Sequence, residues 1–101
     1  MYYSKRLSKV YEINHCFFSR RGGFSRGLYK SLNCGKGSKD KKSNIIKNLK
    51  LVSKKIGVKV DKLKLMHQTH GNKVIIINKL NKNSKRINSD AMITSLQGYA
   101  L

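Results

Sequence analysis

The stretch His15–Asn33, HCFFSRRGGFSRGLYKSLN, decides how the chain is read. An apolar and aromatic run (Cys16, Phe17, Phe18) gives way to Arg20 and Arg21 and then to Gly22 and Gly23. That order suits a strand followed by a loop whose backbone comes close to a ligand. A second stretch, Met66–Val74, MHQTHGNKV, sets His67, Gln68 and His70 ahead of Gly71 and between two short apolar runs. At a strand end such side chains overlook a cleft.

Working outward, Tyr11–Ser19 reads as a strand, with Ile13, Cys16, Phe17 and Phe18 as its apolar content. Arg20–Asn33 reads as a structured loop: Gly22, Gly23 and Gly27 supply conformational freedom, and Phe24, Leu28, Tyr29 and Leu32 anchor it. From Ser43 the spacing of Ile45, Leu49, Val52 and Ile56 predicts a helix with Lys47, Lys50, Lys54 and Lys55 mainly on its other side. Ser43 is the expected N-cap, and Gly57 closes the C-terminus beside Lys54 and Lys55. Leu63–Met66, the β-branched run Val74–Ile77 and Asp90–Thr94 read as strands, with a polar loop from Lys79 to Ser89. Gly98–Leu101 begins a further apolar segment.

A chain of 101 residues is one modest domain at most, and at this size folding buries only about 60–65% of the unfolded surface. Its 39% hydrophobic content, without Trp or Pro, is too apolar for a disordered tail and lean for a complete enzyme. Cys16 and Cys34 show neither CxxC nor finger spacing, so they read as free thiols in a reducing compartment, the cytoplasm. Ser4, Lys5, Arg6, Ser8 and Lys9 interrupt any leader-like apolar core after Met1, and no apolar run nears the ~20 residues of a membrane helix.

The 23 Lys and Arg stand against four acidic residues, a formal charge of +19. Nucleic-acid binding is the obvious implication. However, Lys outnumbers Arg, the charge is spread along the chain, and no aromatic residue lies between Tyr29 and Tyr99, unlike a dedicated base-stacking surface.

Several residues can carry chemistry. The His70 imidazole is of a type that ligates zinc or moves a proton, and Gly71 leaves room beside it. On a strand Gln68 and His70 would share a face and His67 would point away. Arg20, Arg21, Gly22, Gly23 and Ser25 suit an anion pocket of guanidinium, hydroxyl and N–H groups, although the spacing is not that of a P-loop.

The order SRRGGFS, SLN, Asp40 with Asn48 eight positions on, HQTHG and DAMIT resembles the YfiH-type laccase-domain family, once called multicopper polyphenol oxidases and now described as purine nucleoside phosphorylases. The resemblance spans nearly the whole chain. It implies an α/β (α+β) fold of mixed β-sheets flanked by helices, incomplete here: residues 1–101 would be the N-terminal part of one such domain, ending before the family's later ADC and HAGWRG elements. It further implies phosphorolysis of adenosine, inosine, guanosine or methylthioadenosine, deamination of adenosine, and a zinc cofactor, the family also being described with copper. By motif, His70 matches the catalytic and zinc-ligating His. Arg20, Ser25, Asn33, Asn48 and Gln68 match substrate-binding positions. Leu49 stands where the family commonly has Arg, which removes one polar contact.

The expected partners are purine nucleosides, phosphate and a complementing C-terminal half, the chain alone being inactive. The alternatives are a small basic nucleic-acid-binding module and an inert remnant. Nucleic-acid binding by this chain is expected to be weak and indifferent to sequence, because Lys contacts to phosphate release counterions without reading bases. Affinities for unrelated oligonucleotides at two salt concentrations should be alike and should fall steeply with salt; a preference for one sequence that survives high salt would favour the binding module.

Overall fold

Ile45 and Leu49, one helical turn apart, are 3% and 5% exposed and fix the inner face of the one α-helix, α1 (Lys42–Ile56). Asn48 and Ser53 are buried on the same helix, whereas Lys47, Lys50, Lys54 and Lys55 are exposed. Gly57 closes α1 as expected. It adopts a left-handed φ of 86° and its N–H meets the carbonyls of Ser53 and Lys54. The start differs from expectation: α1 begins at Lys42, one residue ahead of Ser43, and has no side-chain cap. Asp40 stands just outside, its Oδ1 accepting the Lys41 N–H at 2.7 Å, which places a carboxylate beside the positive end of the helix dipole.

The computed structural model describes all 101 residues, which divide into two compact units, Met1–Gly57 and Val58–Leu101. In the first, the expected strand Tyr11–Ser19 is not a strand. Its pairing is a single antiparallel bridge, Tyr2 with Phe17, whose two N–H···O bonds are each 2.8 Å. The reason lies in its polar residues. Asn14 Nδ2 donates to the Ile56 carbonyl at 2.6 Å, and His15 Nε2 accepts the Ser4 N–H at 2.8 Å, so these side chains bind backbone outside any ladder. Arg20–Asn33 is the structured loop expected, with a 3-10 turn at Gly27–Tyr29, but of its expected anchors only Tyr29 and Leu32 are half-buried, while Phe24 and Leu28 are 50% and 90% exposed.

In the second unit, β1 (Val74–Ile77) and β2 (Ala91–Thr94) pair in parallel, with Val74 opposite Ala91 and Ile76 opposite Ile93. Ile77, at 1% exposure, and Ile87, at 5%, are its buried apolar residues. Ser89 is fully buried and its hydroxyl donates to the Ala91 carbonyl at 2.9 Å. Leu63–Met66 does not form the expected strand; pairing there is confined to isolated parallel bridges of Leu63 with Ala100 and His67 with Asn88. Tyr99 holds the first of these in place. Lys62 and Lys64 set their ammonium groups 4.8 and 5.6 Å from its ring centre, and Lys62 Nζ also donates to its hydroxyl at 3.1 Å. The chain is thus a mixed helix-and-strand structure, and no helix is long and apolar enough to cross a membrane.

Candidate functional site

The loop after Arg20 is closed at its neck by backbone. The Arg20 carbonyl accepts from Ser31 N–H, Leu32 N–H and the Ser31 hydroxyl at 3.0, 2.8 and 2.9 Å, and Arg20 Nε donates to the Lys30 carbonyl at 3.1 Å. Gly23 makes this closure possible, because a Cβ there would overlap the Ser31 carbonyl and the Leu32 Cα. Gly22 adopts φ 87° in the same turn.

Inside the loop, Ser25, Asn33 and Asn48 converge on one another and on Asp40. Asn48, which has no exposed surface, accepts the Phe24 N–H at 2.7 Å and donates to Ser25 Oγ at 2.9 Å and to the Asn33 carbonyl at 2.7 Å. Ser25 Oγ donates to Asp40 Oδ2 at 2.5 Å, and Asn33 Nδ2 reaches the same oxygen at 3.1 Å. The Ser25 hydroxyl, and after it the Asn33, Lys41 and Asn44 donors, hold the Asp40 carboxyl below its ordinary range against the opposing effect of desolvation. Ser25 and Asn48 are therefore occupied by the chain itself. Arg20 is exposed and, with Tyr29, Ser31 and Asn33, lines an open cavity of about 310 Å³.

In the second unit the segment around His70 is a turn, not a strand end, so the alternation expected to pair Gln68 with His70 does not apply. Asp90 shapes this turn. Its Oδ1 accepts Thr69 N–H at 3.0 Å, and its Oδ2 accepts the Thr69 hydroxyl at 2.8 Å and Lys73 N–H at 3.1 Å. The Asp90 and Ala91 N–H groups return bonds of 2.8 and 3.1 Å to the Lys73 carbonyl. Burial pushes the Asp90 carboxyl up, but donors from Gly71, Thr69 and Lys73 outweigh it and bring it down to about 2.

His70 sits between those donors with a left-handed φ of 60°, and both it and Gln68 are exposed. Such backbone in a non-glycine residue costs about 1–2 kcal/mol unless its surroundings offset it, and it is enriched at functional sites. His67 is pinned by its backbone, its N–H to the Ile87 carbonyl at 2.6 Å and its carbonyl to the Ser89 N–H at 3.2 Å.

No three His, Cys, Asp or Glu side chains come together to hold a metal ion, so this chain's residues do not by themselves fit a zinc site. Both cysteines are free, and burial pushes the Cys34 thiol up, away from the thiolate that a metal would need. Sequence reasoning missed the bracing roles of Asp40 and Asp90. The signal available was scarcity, because the chain has only Glu12, Asp40, Asp61 and Asp90 as acidic residues.

Residues 14–101 match the family described as multi-copper polyphenol oxidoreductase laccase. A purine nucleoside phosphorylase of Corynebacterium glutamicum is 30% identical over 90 residues, which cover 88% of this chain and 37% of that protein. Among solved structures, YlmD from Geobacillus stearothermophilus superposes with a TM-score of 0.70 at 20% identity, over 79% of this chain and 32% of YlmD. The YfiH protein of Bacillus licheniformis gives 0.67 at 19% identity, over 76% and 32%. These likenesses establish a shared fold, and the chain spans about a third of the length of the relatives it matches.

Two outcomes follow from the hydrogen bonding. Asn48→Ala removes the partner of the Phe24 N–H and of the Asn33 carbonyl, both in part-buried bonds, and should cost about 1–3 kcal/mol of stability, read as a lower denaturant midpoint. The Asp90 carboxyl titrates lower in the folded chain than in the unfolded one. Its support of the His70 turn should therefore be complete above about pH 4 and be lost as the pH falls toward 2. Amide protection factors of Thr69 and Lys73 between pH 5 and 2 should show this loss, and Asp90→Asn should weaken that protection throughout.

Proposed function

The chain belongs to the multi-copper polyphenol oxidoreductase laccase family, and from that premise we propose that it is the N-terminal part of a purine nucleoside phosphorylase. The observation that carries this reading is His70, an exposed imidazole in left-handed backbone on a turn braced by Asp90. Backbone held in that way fixes where the His70 side chain leaves the turn, and its exposure leaves the imidazole open to a ligand. The name of the Corynebacterium glutamicum relative supports the choice of reaction.

In phosphorolysis an oxygen of inorganic phosphate attacks the anomeric carbon, the electrons of the N-glycosidic bond leave on the purine, and the purine takes up a proton. Arg20 is proposed to bind the phosphate, since its exposed guanidinium lines an open cavity while its Nε and its carbonyl are tied to the loop neck. Asn33 lines the same cavity. Ser25 and Asn48 act as positioning residues that keep the loop in shape, and Gln68 is proposed to face the nucleoside from the His70 turn. His70 handles the proton, or serves as one ligand of a zinc ion whose other ligands lie outside these residues. The substrates proposed are adenosine, inosine, guanosine and methylthioadenosine, with adenosine deamination as a second activity. The two free thiols fit the reducing cytoplasm.

The test is reconstitution. Inosine and adenosine turnover should be absent for the chain alone and should appear when it is mixed with a polypeptide spanning the remainder of the Corynebacterium glutamicum relative. His70→Ala should abolish that turnover, and Arg20→Ala should raise the KM for phosphate about tenfold or more, the loss expected for one charged hydrogen bond. Turnover that survives His70→Ala would remove His70 from the chemistry. Retention of one zinc per chain by the 101 residues alone, after dialysis against a mild chelator, would show that further ligands exist within them.

A further inference from the structure

The outer face of α1 carries charge of one sign only. At 3.6 residues per turn, Ser43, Lys47, Lys50 and Lys54 fall within about 60° of one another, on the side away from Ile45 and Leu49. All four are exposed. At a rise of 1.5 Å per residue the three lysines span about 10 Å of the helix axis.

Nothing nearby in sequence offsets them. From Lys36 to Lys55 the chain has eight Lys against a single acid, Asp40, and that carboxylate is taken up by Ser25, Asn33 and the Lys41 N–H. None of the eight lysines is in an ion pair, since the one pair of the chain joins Asp61 and Lys62. Lys47 with Lys50, and Lys50 with Lys54, are neighbours at i,i+3 and i,i+4, spacings at which like charges weaken a helix. A face that served solubility alone would intersperse both signs. One sign repeated along a helix complements a polyanion.

The rest of α1 selects among polyanions. A lipid surface takes up a helix by its apolar side, and here that side is turned inward, with Ile45 3% and Leu49 5% exposed. A single strand is held by aromatic rings on which its bases stack. The helix has no aromatic residue, and the ring of Phe24 beside it faces the Lys47 ammonium at 5.7 Å. A duplex turns its bases inward and presents one phosphate per about 1.7 Å of axis, so lysines and a hydroxyl suffice to hold it.

We propose that Ser43, Lys47, Lys50 and Lys54 form a docking surface for the phosphate backbone of double-stranded nucleic acid. The contact carries no sequence information, because bonds to phosphate position a protein without reading bases. None of the four residues is assigned a part in phosphorolysis, so either reading can fail alone.

The test uses the whole 101-residue chain and a short labelled duplex of arbitrary sequence, with binding followed by fluorescence anisotropy over a range of salt. Lys47→Gln with Lys50→Gln and Lys54→Gln should weaken binding about tenfold or more, and should flatten the slope of log affinity against log salt by about 3, the change expected for three phosphate contacts. Gln has nearly the helix propensity of Lys, so the circular dichroism spectrum should be kept. Lys5→Gln with Lys9→Gln and Lys85→Gln removes the same charge at exposed positions outside α1. At about 0.1 M salt, where exposed charges more than about 10 Å apart are screened, this control should change the affinity less than about threefold.

Equal losses from the two triple variants would make binding a matter of net charge and overturn the proposal. Tighter binding to a single strand of the same length, tighter binding to vesicles of anionic phospholipid, or no duplex binding at about 0.1 M salt would overturn it too.

Discussion

Two carboxylates organise the two segments that carry the candidate site residues, and neither does so by pairing with a cation. With 23 Lys and Arg available, the one ion pair in the chain joins the exposed neighbours Asp61 and Lys62 at 3.9 Å. Asp40 instead accepts from Ser25, Asn33 and Lys41 N–H, and Asp90 from Thr69 and Lys73. An exposed ion pair gains little after screening and the entropy lost by two long side chains. A carboxylate that takes up backbone N–H groups and short hydroxyls fixes directions, because each donor is already tied to the chain. In a protein this cationic, that use turns a scarce acid into local geometry.

The same logic separates holding from contacting. Asn48 has four polar neighbours and no exposed surface, so its amide works through the loop it supports. Gly23 does the complementary work of making room, and together they let the Arg20 carbonyl gather three donors at the neck. The arginine side chain is then left at the cavity with its Nε held and its remaining N–H groups free to meet an anion.

Long periodic and strongly β-branched segments were legible in the sequence. The helix expected from Ser43 with Gly57 at its end is α1, offset by one residue, and VIII and AMIT are the two paired strands. Tyr11–Ser19 and Leu63–Met66 were not legible, because apolar content says nothing about whether a neighbouring strand exists to complete a ladder. Polar side chains also competed for backbone: Asn14 went to the end of α1 and His15 to Ser4. The membership of the polar cluster was readable, since Ser25, Asn33, Asn48 and Asp40 all appear in the motif order. Its burial was not, because nothing in the spacing distinguishes an amide facing a ligand from one turned inward.

The left-handed backbone at His70 shows why bracing and exposure belong together. A turn of this kind in a flexible segment would relax to ordinary φ values, and the imidazole would sample many directions. Asp90 restrains the backbone by binding residues on either side of His70, Thr69 before it and Lys73 after it, while touching nothing on the ring. The strand pairing then carries the constraint onward, since Ala91, the residue after Asp90, begins β2 opposite Val74, the residue after Lys73. The backbone at His70 is thus tied to the pairing of β1 and β2, and the imidazole projects from it into solvent.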